Sequence, residues 1–255
     1  MFRLASCLAV LVLLVGVGGP TWADVIASAG FNDAAGMHSN PTPDSPYKIG
    51  VVVNGYGVGE PGWVAGGWGA GGYAPVQDAV VYEGDGALYV EGAGRHLAES
   101  LAGEFRIDQY VRFPAGGKTT ARRYYATFDG TPVAPRVSSE WLGEAGKFWV
   151  VDGDGSGSLN YEDTGFTWTA DTWYKVSEIL DFGSDTWEFF VDNVKYQSPD
   201  PLGFRGTPPA MNTVQWFGAG MYLDAVTIVP EPSTIVLLFT TAVGLLVCGW
   251  RRRCD

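Results

Sequence analysis

Cysteine is nearly missing from this chain of 255 residues: Cys7 lies near the start, Cys248 and Cys254 near the end. The long stretch between them therefore holds no disulfide, no thiolate zinc site and no cysteine nucleophile. Histidine is as scarce. His38 and His96 are the only two, so a two-histidine metal site would need both, from distant loops. Positive charge is short as well, with 16 basic residues against 28 acidic ones. Arg3, Arg251, Arg252 and Arg253 sit at the termini, as do Glu231 and Asp255, which leaves 12 basic against 26 acidic residues over 24–229. Such a stretch repels nucleic acid and anionic head groups and suits cations or neutral glycans. The same acidity also serves plain solubility. Finally, 24–229 shows no sustained helical period and no solenoid-length repeat.

The long apolar runs are confined to the two ends. Arg3 is followed by an uncharged, largely apolar run from Leu4 to Val17, the breaker pair Gly19-Pro20 and the small-residue exit Thr21-Trp22-Ala23. This predicts a secretory signal peptide over residues 1–23, taken up by the Sec export machinery and cut after Ala23 by signal peptidase. At the other end Pro230-Glu231-Pro232 leads into an uncharged run ending at Trp250, with Arg251-Arg252-Arg253 directly behind it. Residues 233–250 predict a transmembrane helix, since a run of that length rises about 27 Å, just enough for a bilayer. The basic cluster stays cytoplasmic and places everything before Pro230 outside.

Pro-Glu-Pro, one short span and a terminal basic cluster, in that order, resemble the PEP-CTERM sorting signal of Gram-negative bacteria. The resemblance covers residues 230–255. It implies a temporary inner-membrane anchor that an exosortase-type transpeptidase recognises and removes, releasing the protein toward the cell surface, often in bacteria that make exopolysaccharide. A plain stop-transfer anchor with a proline-rich stalk predicts the same topology.

Between the ends, residues 24–229 are the size of one all-β domain. Glu104 to Phe113 alternates most cleanly, with Phe105, Ile107, Val111 and Phe113 on one face and Arg106, Asp108 and Arg112 on the other, as in a strand with one side on a core. Further strands are expected at Ala87–Glu91, Tyr124–Phe128, Lys147–Val151, Trp173–Leu180, Trp187–Val191 and Tyr222–Ile228. Gly, Asp, Asn and Pro clusters punctuate them as turns. The expected fold class is therefore all-β, an antiparallel β-sandwich flanked by an N-terminal signal helix and a C-terminal transmembrane helix. The late order is a strand, a hairpin tipped by Asp192-Asn193, a proline-bearing crossover over 198–211 and a last strand carrying Tyr-Leu-Asp. It resembles the second half of laminin-G-like or concanavalin A-like jelly rolls. In such domains the last strand returns beside the first, a place that residues 24–33 would fill.

Three constellations carry candidate chemistry. In "DGDGSGSLNYED", residues 152–163, Asp152, Asp154, Ser156, Ser158 by its carbonyl, Asn160 and Asp163 fall at EF-hand spacing with Gly157 at the bend, a pattern similar to dockerin loops and an oxygen set for calcium. Its flanks, "KFWVV" and "TGFTWTADTW", are strand-like, so a polar connection between strands on the rim of the sandwich explains the composition equally. Over 59–75, Trp63, Trp68 and Tyr73 alternate with glycines; these rings stack on sugars or fold down over the sandwich. For glycoside hydrolysis, the Glu-x-Asp-x-x-Glu run of the jelly-roll glucanases is missing, and the nearest pairs are Glu83/Asp85 and Asp152/Asp154, both turn-like. A glycan-binding or structural role in an extracellular polysaccharide matrix is the expectation, with a glycoside hydrolase or lyase on the same fold as the alternative.

Overall fold

In the computed structural model, which describes residues 27–29, 62–65, 76–77, 79–84, 86–115, 123–129 and 136–230, the alternating stretch after Gly103 is a strand. Phe105, Ile107, Gln109 and Val111 are buried, while Arg106, Asp108, Tyr110 and Arg112 are half-buried on the opposite side. The same period-two logic builds fourteen strands among the described residues. They are β1 (Ala27–Ala29), β2 (Gly62–Ala65), β3 (Val76–Gln77), β4 (Ala87–Leu101), β5 (Glu104–Arg112), β6 (Arg123–Phe128) and β7 (Val137–Glu144). Then follow β8 (Lys147–Val151), β9 (Tyr161–Thr167), β10 (Trp173–Asp181), β11 (Thr186–Val191), β12 (Val194–Lys195), β13 (Leu202–Gly203) and β14 (Met211–Pro230).

All pairings are antiparallel and join into one curled sheet, a half-barrel, in the order β12-β11-β10-β5-β14-β6-β7-β8-β9. Consistent with the expected β-sandwich, one continuous sheet bends over on itself into two layers, because β14 is long enough to serve both. Its first part, Thr213 to Gly218, pairs with β6, and its second, Tyr222 to Pro230, with β5. The break in register between Phe217 and Met221 contains Gly218 and Gly220, both at positive φ. A bulge built on glycine turns the strand without ending it. On the other edge of β14, β4 pairs from Leu88 to Leu101 and β1 opposite Val226 to Ile228, so the segment near the start does lie beside the last strand.

The two layers close on an aromatic core. Trp141 of β7 packs 5.3 Å from Tyr125 of β6 and 6.2 Å from Phe189 of β11, and Phe148 of β8 lies 5.7 Å from Phe113 just beyond β5. Trp141, Trp187, Trp216, Tyr125 and Phe148 are all fully buried. Indole N–H groups find acceptors across the core, Trp216 Nε1 donating to Gln109 Oε1 at 2.6 Å and Trp141 Nε1 to Glu178 Oε1 at 3.1 Å. Glu178, pointing inward from β10, also accepts from Ser139 Oγ at 2.5 Å. Burial raises its carboxyl to about 8 against the opposing pull of the Ser139, Tyr125 and Trp141 donors.

Several strands differ from expectation. The strand expected to end at Glu91 runs on to Leu101, "VQWFGAG" and "MYLDAVTIV" form a single strand, and β7 and β9 were not foreseen. At Asp192 and Asn193 both φ values are positive, 50° and 65°, as a two-residue type I′ hairpin between β11 and β12 requires. No helix among the described residues is long and apolar enough to cross a membrane; the expected signal segment 1–23 and span 233–250 lie outside the described residues.

Candidate functional site

The outward face of β5 and its neighbours is unusually aromatic. Because β5 alternates, Arg106, Asp108, Tyr110 and Arg112 share this face, and pairing puts Trp173 and Lys175 of β10 opposite Arg112 and Tyr110, with Tyr222 and Asp224 of β14 on the other flank. Tyr82, in the turn before β4, lies flat on Tyr110 with ring centroids 3.6 Å apart and 18° between planes, and meets Trp173 edge-on at 5.8 Å. Tyr82 stays 41% exposed. Tyr222 packs against Tyr89 of β4 at 5.2 Å, and the Arg112 guanidinium lies 5.7 Å from the Tyr222 ring centre. The Tyr82 hydroxyl as hydrogen-bond partner, followed by burial, pushes the Tyr110 phenol up to about 12.

Charged groups around these rings are held in place. Asp108 accepts from Arg106 Nε at 2.8 Å and from Lys175 Nζ at 3.1 Å. Arg112 Nη2 donates to Asp171 Oδ1 at 2.9 Å, and the Ala115 amide and then Arg112 hold the Asp171 carboxyl below its usual range. Beneath Tyr82 lies Asp224, fully buried. Its Oδ2 accepts from the Tyr82 and Glu83 amides at 3.0 and 3.2 Å, and its Oδ1 from the Ala225 amide at 2.7 Å. Ala225 sits at φ 47°, inside the β14 irregularity between Asp224 and Thr227. An alanine in the left-handed region costs about 1–2 kcal/mol, and here the Asp224 carboxyl bonds the amide of that strained residue while anchoring the turn that carries Tyr82. Burial raises the Asp224 carboxyl to about 6, with the Glu83, Ala225 and Tyr82 amides pulling it back.

The loop expected to bind calcium sits elsewhere and ties two segments together. Residues 152–160 connect β8 to β9, and their backbone zips onto the segment after β13. Gly153, Gly155 and Gly157 amides donate to the Gly203, Phe204 and Arg205 carbonyls at 3.1, 3.1 and 2.8 Å. That segment continues the seam, with Arg205 and Gly206 amides donating to Ser138 and Val137 carbonyls at the start of β7. The oxygens expected on one cation are divided. Asp152 Oδ1 accepts the Gly203 amide at 2.8 Å, Asp154 Oδ1 the Ser156 amide and hydroxyl, and Ser156 Oγ bonds Ser158 Oγ at 2.8 Å. The Asn160 carbonyl accepts the Asp152 amide at 2.9 Å. Asp163, on β9, pairs with Lys147 and accepts the Gly165 amide. No group of three or more acidic, histidine or cysteine side chains that could hold a metal is found among the described residues.

Of the other expected residues, the Trp63 backbone pairs with Arg95 in β4, and Glu83 lies in the turn above Asp224. Trp68, Tyr73, Asp85, Glu231, Pro232, Arg251, Arg252 and Arg253 lie outside the described residues; Pro230 ends β14, paired with Phe105. The tyrosine face was missed, although one sign was present: Tyr110 occupies a polar-face position of the cleanest alternating strand.

No family model matches the chain, and no curated protein matches it. Among solved structures it is similar to the endo-β-1,4-glucuronan lyase from the fungus Trichoderma reesei, at 11% identity and a TM-score of 0.50 over 67% of this chain and 92% of that one. It is also similar to the cellulose-induced protein Cip1, at 10% identity and 0.48 over 69% and 94%, and to a sialidase, at 13% and 0.48 over 66% of this chain but only 17% of that one. The fold shared with the lyase is an all-β antiparallel jelly roll. At such identity the likeness establishes the fold alone.

Proposed function

We propose that the protein is exported and displayed at the cell surface, sorted by the PEP-CTERM tail at Pro230, Glu231 and Pro232 with its basic cluster Arg251–Arg253, and that its β domain binds neutral glycan of an extracellular polysaccharide. The observation that carries the binding reading is the stack of Tyr82 on Tyr110 beside Trp173. Flat apolar faces flanked by fixed Arg112, Asp108 and Lys175 match the alternation of C–H faces and hydroxyls on a sugar. The acidic surplus favours uncharged chains over uronates. The fold is also used by a protein named for cleaving glucuronan, which keeps sugar chemistry within its range.

A glycan-array screen of the purified protein tests this. Binding to neutral glycans is expected, with Tyr82→Ala and Trp173→Ala each weakening it about tenfold or more, in line with the roughly 1–3 kcal/mol of one lost aromatic stack. Asp224→Asn should weaken it less, by loosening the turn beneath Tyr82. Binding that both ring variants retain in full would place the glycan elsewhere; release of sugar during the assay would move the reading to a carbohydrate-active enzyme, and no binding at all to a passive structural protein.

A further inference from the structure

Both predicted membrane segments adjoin the β domain at one and the same end. β14 is held almost to its last residue: Ile228 stands between Ala27 of β1 and Ile107 of β5, with Val229 opposite Arg106 and Pro230 opposite Phe105. Because β1 and β14 run antiparallel, the start of the one lies beside the finish of the other. In sequence, Ala27 comes four residues after Ala23, the expected signal cut, and Pro230 three residues before Ser233, where the expected span begins. An extended chain covers at most about 3.6 Å per residue, so these links reach no further than about 14 Å and about 11 Å.

Two turns close off the same end. β4 finishes at Leu101 and β5 starts at Glu104, while β10 finishes at Asp181, opposite Glu104, and β11 starts at Thr186. The turns are fastened to each other: the Phe182 amide donates to the Gly103 carbonyl at 3.0 Å, and the Phe182 ring stacks on Phe105 at 5.6 Å. Gly103, Glu104, Gly183, Ser184 and Asp185 are exposed there. This end is acidic, carrying Glu99, Glu104, Asp181 and Asp185, with neither lysine nor arginine over 98–105 or 181–187. Charge gives it no affinity for anionic head groups. A short tether is what would hold it against a bilayer.

β5 leads away from this end. From Phe105 to Tyr110 is five residues, roughly 17 Å at the rise of a strand, and Tyr82 and Trp173 gather around Tyr110. β10 runs back beside β5, with Trp173 opposite Arg112 and Asp181 opposite Glu104. The aromatic rings and the acidic turns therefore occupy opposite ends of the same strand pair.

We propose that, while the tail remains attached, the domain stands on the bilayer surface by the end formed by Pro230, the 102–103 turn and the 182–185 turn, with the Tyr82–Tyr110–Trp173 face carried away from the lipid. This orientation rests on the sorting-tail reading given above. It presents the rings to the outer side of the anchored protein, and the acidic end parts from an anionic membrane once the tail is cut.

Single cysteines in the full chain test it, since Cys7→Ser, Cys248→Ser and Cys254→Ser leave no other thiol. Ser100→Cys and Ser184→Cys mark the proposed membrane end, Ala115→Cys and Thr172→Cys the far ends of β5 and β10; all four positions are exposed. Each variant is labelled with a fluorophore, reconstituted into phosphatidylcholine vesicles and exposed to a lipid whose head group carries a nitroxide, a short-range quencher. Labels at 100 and 184 should lose most of their emission, and labels at 115 and 172 should keep most of theirs. Two positions at each end preserve the comparison should one variant fold poorly. A chain that floats with the vesicles yet is quenched equally at both ends, or more at 115 and 172, would overturn the orientation and leave the anchor standing. A chain that does not float with the vesicles would remove the anchor itself, and the orientation with it.

Discussion

At Glu178 the core holds a carboxyl with no counter-ion, held by neutral donors that include Ser139 and Trp141. An acid buried this way prefers its proton. With its folded value near 8 and an unfolded value near 4.5, the folded state keeps a proton between those pH values that the unfolded chain releases. The contribution to stability is therefore full below about pH 4.5 and is lost as pH rises toward 8, at up to about 1.4 kcal/mol per pH unit. Glu178→Gln removes the titration while its amide can still donate to Ser139, whose hydroxyl turns toward Thr127 Oγ1, 2.9 Å away. Urea unfolding at pH 5, 6.5 and 8 should find the variant close to or below the wild type at pH 5 and clearly more stable at pH 8. Parallel pH profiles would show that Glu178 is not the group that titrates. This residue was invisible in sequence: "KVSEILDF" reads as a half-polar strand, and only the opposing layer reveals that Ser177 and Glu178 are both buried.

Elements reveal more of why some features were legible and others were not. Alternation found β5 and β11 because each has one wetter and one dry side. β7 was missed because Val137 to Gly143 are all buried, and a strand covered on both faces shows no period. The covering on its outer side comes from the seam formed by residues 203–206 and the 152–158 loop. That seam explains the composition of "DGDGSGS": a Cβ on Gly153 would collide with the Phe204 carbonyl and Arg205 Cα, and one on Gly203 with the Gly153 carbonyl. Glycine is needed there for close backbone approach, a reason the calcium pattern does not supply. Gly153→Ala should accordingly lower stability by about 2–4 kcal/mol, since the clash is with backbone that cannot step aside, and the loss should be the same with calcium or with chelator. Equal stability of Gly153→Ala and wild type would contradict the zipped seam. A loss that appears only when calcium is present would instead return the loop to metal binding, and Asp152→Ala with Asp154→Ala would then share that dependence.

For the whole molecule, the all-β class and the pairing of the segment near the start with the last strand were readable, whereas the single curled sheet was not. The reason is β14: Gly218 and Gly220 look like a loop between two short strands, and only pairing with both β5 and β6 shows one strand passing between layers. One large core spanning both layers results, running from Leu88 through Trp141 and Phe189 to Ile228, beside a small separate cluster of Ala126, Phe128 and Val137, with no cysteine in either. Trp141 joins the layers most directly, touching Tyr125 and Phe148 on its own side and Phe189 and Glu178 on the other. If the layers share one core, weakening it here destabilises both. Trp141→Phe, which keeps a ring and removes the indole donor, should lower the melting temperature, leave a single transition, and speed amide exchange in β10 and β11 as much as in β6 and β8. Reductant should shift neither transition. Faster exchange limited to β6–β8, or two separated transitions, would mean that the layers unfold as independent units joined only through the bend of β14.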